Sequence, residues 1–579
     1  MFISRLILTL LLTSLPLSCF AKERSAYPPT RKLTPEQSAL VDKAIAREKI
    51  LIKVIQQRTP LVETYIQDNR ADDKLREVPV ADHYMLSRVN FGKGFFDRTY
   101  EAKSAGKHAR IKGSLQSIAN LSKWLGLDTS LTYNPLGFTE MMFLDPYGAD
   151  REHYEFSFAR KEFLGSVRTW VFDVHPKSSG AGRFSGRIWI EDQDGNIVRL
   201  NGTFTPSKSL DSPKLFFHFD SWRVNVQPGV WLPAAVYVEE TQRSERDTAI
   251  GLRAQTHFWG YSLRLPTRDS ENVSMRVDDA EDKSDDSQDV GPLEAERQWV
   301  AQAENNVLDR LVQAGLLAPA NPDGFERKVL DQIVVNLSVP SNLAFTTPVH
   351  CRLLLMTTVE ATTVGNTILL TKGLIDSLPN EEAIASVIAL ELAHVELGHH
   401  IDTRYAFNDR LLFPDEASFQ RIDMSHKEGE DEAAAKRAQE YLLASMYKDK
   451  LATAALFWTQ LADRGKALKE LNTPKLGDSL LRADGSPWMT ALAKSAPKLD
   501  WDNLNQIPAL PLGSWLKTDP WDDHVEMVNA TRSAPLNARE KLPLEVTPVF
   551  YRLHRRSETA PQQALDSPGA EGAEPASPR

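Results

Sequence analysis

The stretch "SVIALELAHVELGHH", residues Ser386 to His400, decides how this chain is read. Asn380 precedes it as a helix cap, and Glu381 and Glu382 sit in the first turn, at the positive helix end. Apolar residues recur at Ala383, Val387 and Leu390, and again at Ile384, Ile388 and Leu392. The pattern predicts a largely buried helix. Glu391 and His394 follow Leu390 on this helix, and Leu390 shares a face with His394 one turn on. A carboxylate on a buried helix is expensive unless it has a positive partner or a chemical task.

Working outward, "VEATTVGNTILLTKGLI" supplies two short strands around Gly365 before the helix. After it, "KEGEDEAAAKRAQEYLLASMYKDKL", Lys427 to Leu451, supplies a second helix. Together these parts resemble metallopeptidase family 48, the group of the CAAX prenyl protease and the HtpX-type zinc endopeptidases. That family shows a strand of small and polar residues, a glycine, an apolar strand, an acidic helix start and the motif H-E-x-x-H. The corresponding parts here are Glu360 to Val364, Gly365, "TILLTKGLI", "PNEEAIASVIA" and "LELAH".

The resemblance implies a gluzincin-like domain whose zinc is held by two helix histidines and a later glutamate, with a glutamate base. His394 matches the second histidine and Glu391 the base. Glu432 is the candidate third ligand and Glu430 its alternative. Thr363, Val364 and Gly365 match the edge strand on which a substrate peptide adds by backbone pairing. The first ligand position is Leu390, which has no lone pair. A register fixed by Ala438 and Tyr441 places Ala433 and Ala435 where the family carries its glutamate and aspartate, a second departure. His399 and His400 are turned away from the face of the missing ligand unless the helix ends before them, so surface roles are expected for both. His426 is a looser candidate for the missing ligand in a loop-like, polar stretch, and nothing in its spacing argues for it. The E-x-x-H pair also fits di-iron bundles, but no second copy occurs.

The whole chain has 579 residues, 42% hydrophobic and 25% charged, which suits several folded units. Its formal charge of −10 and lack of a basic stripe argue against nucleic acid as a partner. Residues 1–21 read as an export signal: Arg5 precedes an apolar run from Leu6 to Leu12, too short to span a membrane. Cleavage after Ala21 is favoured, with lipidation of Cys19 as the alternative, a lipid anchor on an otherwise soluble or peripheral envelope protein. Cys351, the other cysteine, reads as a buried thiol.

Residues 22–78 read as a helical segment, with Thr34, Pro35 and Gln37 forming a capping box before a helix that runs on through "VETYIQD". Residues 79–265 show the alternating aromatic and β-branched runs of antiparallel strands, with turns at Asp194-Gly195 and Pro228-Gly229. This region resembles the curved sheet of bacterial lipoprotein-carrier and lipoprotein-sorting domains. Residues 266–292 are an acidic linker, 293–555 hold the metallopeptidase-like domain, and 556–579 form a Pro/Ala/Ser/Glu-rich tail. The expected fold class is therefore α+β and multidomain.

Three functions follow as expectations. The chain is a zinc endopeptidase of the cell envelope with a rearranged metal site; or a periplasmic pseudo-protease that holds polypeptide clients without cutting them; or a carrier whose sheet holds a lipid. The substituted motif favours the second. No serine-hydrolase elbow, phosphate loop or dinucleotide fingerprint occurs.

Overall fold

The computed structural model describes residues 32–72, 76–91, 100–104, 129–133, 138–145, 149–178, 183–204, 217–240, 251–261, 292–317, 325–401, 424–427 and 429–497, with the short segments 516–518, 525–527 and 553–555. The export signal with Cys19, nearly all of the acidic linker, and residues 556–579 lie outside the described residues.

Helix α1 (Pro35–Gln56) begins with the expected box: Gln37 N–H donates to Thr34 Oγ1, and Thr34 N–H donates to Gln37 Oε1. It stops at Gln56 and does not continue through Asp68. The pair Thr59-Pro60 interrupts it, and the residues that follow alternate as a strand. In β1 (Leu61–Asp72), Val62 and Ile66 join the core that contains α1, whereas Glu63, Tyr65 and Gln67 point to the opposite face.

The remaining strands of this unit are β2 (Arg76–Arg88), the short pair β3 (Tyr100–Ser104) and β4 (Thr129–Tyr133), β5 (Tyr154–Leu164), β6 (Val167–Pro176), β7 (Phe184–Glu191), β8 (Ile197–Phe204), β9 (Phe217–Gln227), β10 (Val230–Glu240) and β11 (Gly251–Trp259). Eight of them join β1 in one nine-stranded antiparallel sheet in the order β2-β1-β11-β10-β9-β8-β7-β6-β5. Consecutive strands are hairpin neighbours from β5 to β11, and β1 closes the ladder against β11. The turn between β7 and β8 holds Gly195 at φ +71°, a left-handed value that glycine adopts cheaply. The Glu191 carboxylate ties that turn together by accepting from the backbone N–H groups of Gln193, Asp194 and Asn196. The "DQDGN" loop is thus organised by hydrogen bonds to a side chain.

One face of the sheet is covered by α1 and by Phe138, Met142, Phe143 and Leu144. These side chains pack against the sheet as one hydrophobic core.

The second unit contains α2 (Pro292–Gln313), α3 (Phe325–Ser338), β12 (His350–Leu354), β13 (Glu360–Val364), β14 (Thr367–Thr371), α4 (Lys372–Ser377), α5 (Glu381–Leu397), α6 (Glu430–Ala444), α7 (Leu451–Arg464), α8 (Lys469–Asn472), β15 (Asp478–Ser479) and α9 (Thr490–Lys494). Its sheet has the order β12-β14-β13-β15, with β12 parallel to β14. A further pair, β16 (Leu516–Thr518) and β17 (Val525–Met527), lies beyond it in sequence. Helix α5 is central: it packs on α3, α6 and α7 and contacts β13 and β14. With one large antiparallel sheet, one small mixed sheet and several helices, the protein is α+β and multidomain.

The units are joined through the outward side chains of β1 and β2. Glu63, fully buried, accepts from Thr357 N–H at 3.0 Å and from the Thr357 hydroxyl, and its second neighbour is His257 Nδ1 at 2.9 Å. Asp82 accepts from the backbone N–H groups of Glu470 and Leu471. A Glu63→Leu chain is expected to lose about 1–3 kcal/mol of unfolding free energy, because buried donors on Thr357 and His257 lose their acceptor. Urea denaturation checks this, and a loss below ~0.5 kcal/mol would mean that the joint contributes little.

Among the described residues no helix is long and apolar enough to cross a membrane.

Candidate functional site

Helix α5 is fixed at both ends. The Asn380 side chain accepts from Ala383 N–H, and Gly398, at φ +70°, ends the helix in a left-handed turn. That turn reverses the chain, and His399 N–H bonds to the His394 carbonyl at 3.0 Å. His399 is consequently swung back over the helix rather than left at the surface. Its Nδ1 lies 3.0 Å from His394 Nδ1. His400 diverges and meets Glu304 of α2 at 3.0 Å.

Leu390, Glu391 and His394 are all buried. Leu390 belongs to the apolar core of the second unit, beside which Trp458 donates its indole N–H to Ser386. His394 has the His426 ring stacked on it, with centroids 3.9 Å apart. His426 is held from three directions: its N–H and its Nδ1 meet the two oxygens of Asp478 at 2.8 and 2.5 Å, and Nε2 meets the Thr363 hydroxyl at 2.8 Å. His394 Nε2 faces Asp431 Oδ1 at 3.6 Å.

Glu432 does not join this cluster. Its side chain is 76% exposed and lies 3.5 Å from Arg482. One residue on a helix turns a side chain by about 100°, so in α6 it is Asp431 that faces His394 and Glu432 that faces solvent. Glu430 accepts from Lys427 N–H at the start of the same helix. Ala435, half-buried in α6, packs against the core. Thr363 and Val364 are buried in β13, and β15 pairs with that strand only at Glu360 and Ala361. Gly365, at φ +57°, has the Glu304 carboxylate against it, so a Cβ there would meet an oxygen at 2.5 Å.

Burial sets the protonation of this cluster. It pushes the Glu391 carboxyl well above the usual range, and the nearby Asp478 and Asp431 charges push it further. Glu391 Oε2 has no hydrogen-bond partner. Burial also lowers His394 to about 2, with His426 and His399 adding to the effect. Asp431 is raised to about 6, again chiefly by burial and then by Asp478. At neutral pH, His394 is a neutral imidazole and Asp431 an anion. The contact between His394 and Asp431 is then not a charge pair.

A catalytic zinc ion takes three protein ligands and an open position. His394 Nε2 and Asp431 could supply two. Both nitrogens of His426 are engaged by Asp478 and Thr363, Nδ1 of His394 is engaged by His399, and Leu390 offers no donor. Among the described residues no group of three or more histidine, cysteine or acidic side chains is disposed to hold a metal ion. The residues present do not fit a three-ligand zinc site.

Three of the residues gathered here, His399, Asp431 and Asp478, are not expected at the site from sequence, and the fourth, His426, is only a loose candidate there. A signal existed for His399, since Gly398 is a helix terminator. Asp478 arrives on a two-residue strand from 87 positions beyond Glu391 and gives no local signal.

Residues 330–462 match the family model described as Peptidase family M48. The match spans β12 to β14 and all of α5 and α6. That stretch carries Leu390, Glu391, His394, His426 and Asp431 and is similar at family level to the M48 metallopeptidases, whereas Asp478 lies beyond it. No curated protein matches the chain. Among solved structures, the chain is similar to a LolA superfamily protein from Nitrosomonas europaea, with 14% identity over 40% of this chain and 97% of that one and a TM-score of 0.19. It is also similar to a chain of the MucA/MucB complex of Pseudomonas aeruginosa, with 10% identity over 41% and 96% and a TM-score of 0.13.

Proposed function

Given an M48 domain at residues 330–462, we propose that this chain is an exported pseudo-protease, which holds polypeptide clients in the cell envelope and does not hydrolyse them. The observation that carries the reading is Leu390: at the position of the first zinc histidine stands a buried aliphatic side chain, packed into the core. Metallopeptidases of this family are generally zinc-dependent, and a missing ligand removes the group that acidifies the attacking water. Glu391, matching the family's base, is buried, and burial together with the Asp478 and Asp431 charges pushes its carboxyl towards the protonated form, which is unfavourable for a base.

A second reading rests on a different observation. His394, His399, His426, Asp431 and Asp478 converge within a few ångströms, and rotation of His426 off Asp478 would expose a further imidazole nitrogen. On that reading the chain is an active endopeptidase with a rearranged metal site.

Zinc content separates the two. The full chain, dialysed and measured by elemental mass spectrometry, is expected to hold well under one zinc per chain and to capture unfolded protein equally with and without chelator. One zinc per chain, absent from His394→Ala and accompanied by chelator-sensitive peptide cleavage, would overturn the pseudo-protease reading in favour of the second.

A further inference from the structure

The large sheet has a second apolar surface, on the face away from α1. Side chains of β6 to β10 alternate, so that Phe172, Ile188, Ile190 and Leu232 face α1 while Val171, Trp189, Trp222 and Trp231 face the other way. Arg199 stacks between Trp189 and Trp222, 4.5 and 4.4 Å from their ring centroids, and is held there by both oxygens of Asp220. The result is a rigid aromatic platform.

What occupies it comes from the far end of the chain. Leu553 is 1% exposed and sits in this cluster with Val167, Val171 and the three tryptophans. Its carbonyl accepts from Ser166 N–H at 3.0 Å and from the Ser166 hydroxyl at 3.2 Å, across 387 positions of sequence. His554 Nδ1 lies 3.2 Å from the same hydroxyl. Arg555 then reaches Glu191 at 2.6 Å and Asp192 at 3.1 Å.

This contact has three separable parts: an apolar anchor in an aromatic pocket, a main-chain carbonyl read by a fixed N–H, and a guanidinium two residues on, set against two carboxylates. Each is a recognised device for gripping an extended peptide. Glu191 is fully buried, and its charge is met by Arg555 and by turn N–H groups, so the pocket calls for a cation as well as an apolar side chain. Three residues suffice to satisfy it, whatever chain they belong to.

We propose that this face is a recognition site for extended polypeptide carrying an aliphatic residue followed two positions later by arginine, filled in cis by Leu553 and Arg555. A partner segment with that pattern binds by displacing them. The inference stands on the β unit alone and is independent of whether the M48 domain cuts or holds peptides.

The test uses the full chain and its Leu553→Ala/Arg555→Ala form, titrated against two fluorescein-labelled peptides followed by anisotropy. One peptide has the sequence of residues 548–558, PVFYRLHRRSE, and the other keeps only the leucine and the arginine of the pattern in an alanine background. Both peptides are expected to bind the double variant, and to bind the unaltered chain about 100-fold more weakly, because the tethered tail competes at an effective concentration on the order of millimolar. Replacing the leucine or the arginine in either peptide is expected to weaken binding at least ~10-fold. Should the double variant fold poorly by circular dichroism, Arg555→Glu in the full chain replaces it, since a carboxylate there is repelled by Glu191 and Asp192, and the arginine dependence alone is then read.

The proposal is overturned if the folded variants bind neither peptide, if the peptides lacking leucine or arginine bind as well as their parents, or if only the natural tail sequence binds.

Discussion

A chain with Arg223→Ala is expected to unfold with a free energy lower by about 3–5 kcal/mol, measured as a shift in the urea midpoint at unchanged slope. The reason lies in an ion pair buried between the sheet and the α1 helix that covers its inner face. Glu48 of α1 and Arg223 of β9 are 0% and 2% exposed, and they meet through two hydrogen bonds of 2.8 and 2.7 Å. Glu48 also accepts from Leu144 N–H, and Arg223 donates to the carbonyls of Ile197 and Met142. One pair of side chains therefore fixes α1, the 138–145 segment and the sheet to one another. Removing the guanidinium strands a carboxylate in the interior and frees two carbonyls at once. The pair itself is a poor source of stability, since Arg223 Nε has no hydrogen-bond partner. Hence Glu48→Leu/Arg223→Leu should recover most of the loss, as buried ion pairs replaced by apolar groups of similar volume often do. Equal losses in the single and double variants would mean that the ion pair holds the helix by attraction rather than by mutual compensation.

The devices that act within a few residues were legible in the sequence. The Thr34 box, the Asn380 cap and the Asp194-Gly195 turn each depend on neighbours along the chain, and each is found where the residue types place it. What escaped depends on distance or on angle. The helix read through Asp68 ends at Gln56 because β1 is stabilised by pairing with β11, almost 200 positions away, which outweighs helical patterning after Pro60. Glu432 and Asp431 are adjacent carboxylates, and only the rotation of α6 against α5 decides which one meets His394. His426 had no helical frame to fix its direction, and Asp478 supplied the anchor from another strand. Leu553 looked like the end of a domain, and its pocket lies in the other unit.

If the cluster on α5 lacks only one donor, restoring it should restore the metal. In Leu390→His the new imidazole stands one helical turn before His394 and on the same face, so that with His394 Nε2 and Asp431 three ligands become available. That chain is expected to retain one zinc after dialysis, and Leu390→His/His394→Ala to retain none. The gain in affinity over the unaltered chain should exceed the roughly 10–100-fold that an outer-shell partner alone is worth. Stability gives a second readout with a definite sign. Without metal, a polar ring replaces an aliphatic side chain in a core position and unfolding becomes easier by about 1–3 kcal/mol. With zinc, binding to the folded state alone must raise the melting temperature again. The gain should fade as pH drops through about 6, because Asp431 titrates there and ligands bind deprotonated. A Leu390→His chain that is destabilised equally with and without zinc would show that more than one missing side chain keeps zinc from His394 and Asp431. The stack of His426 on His394, anchored by Asp478, is the structural element that would do so.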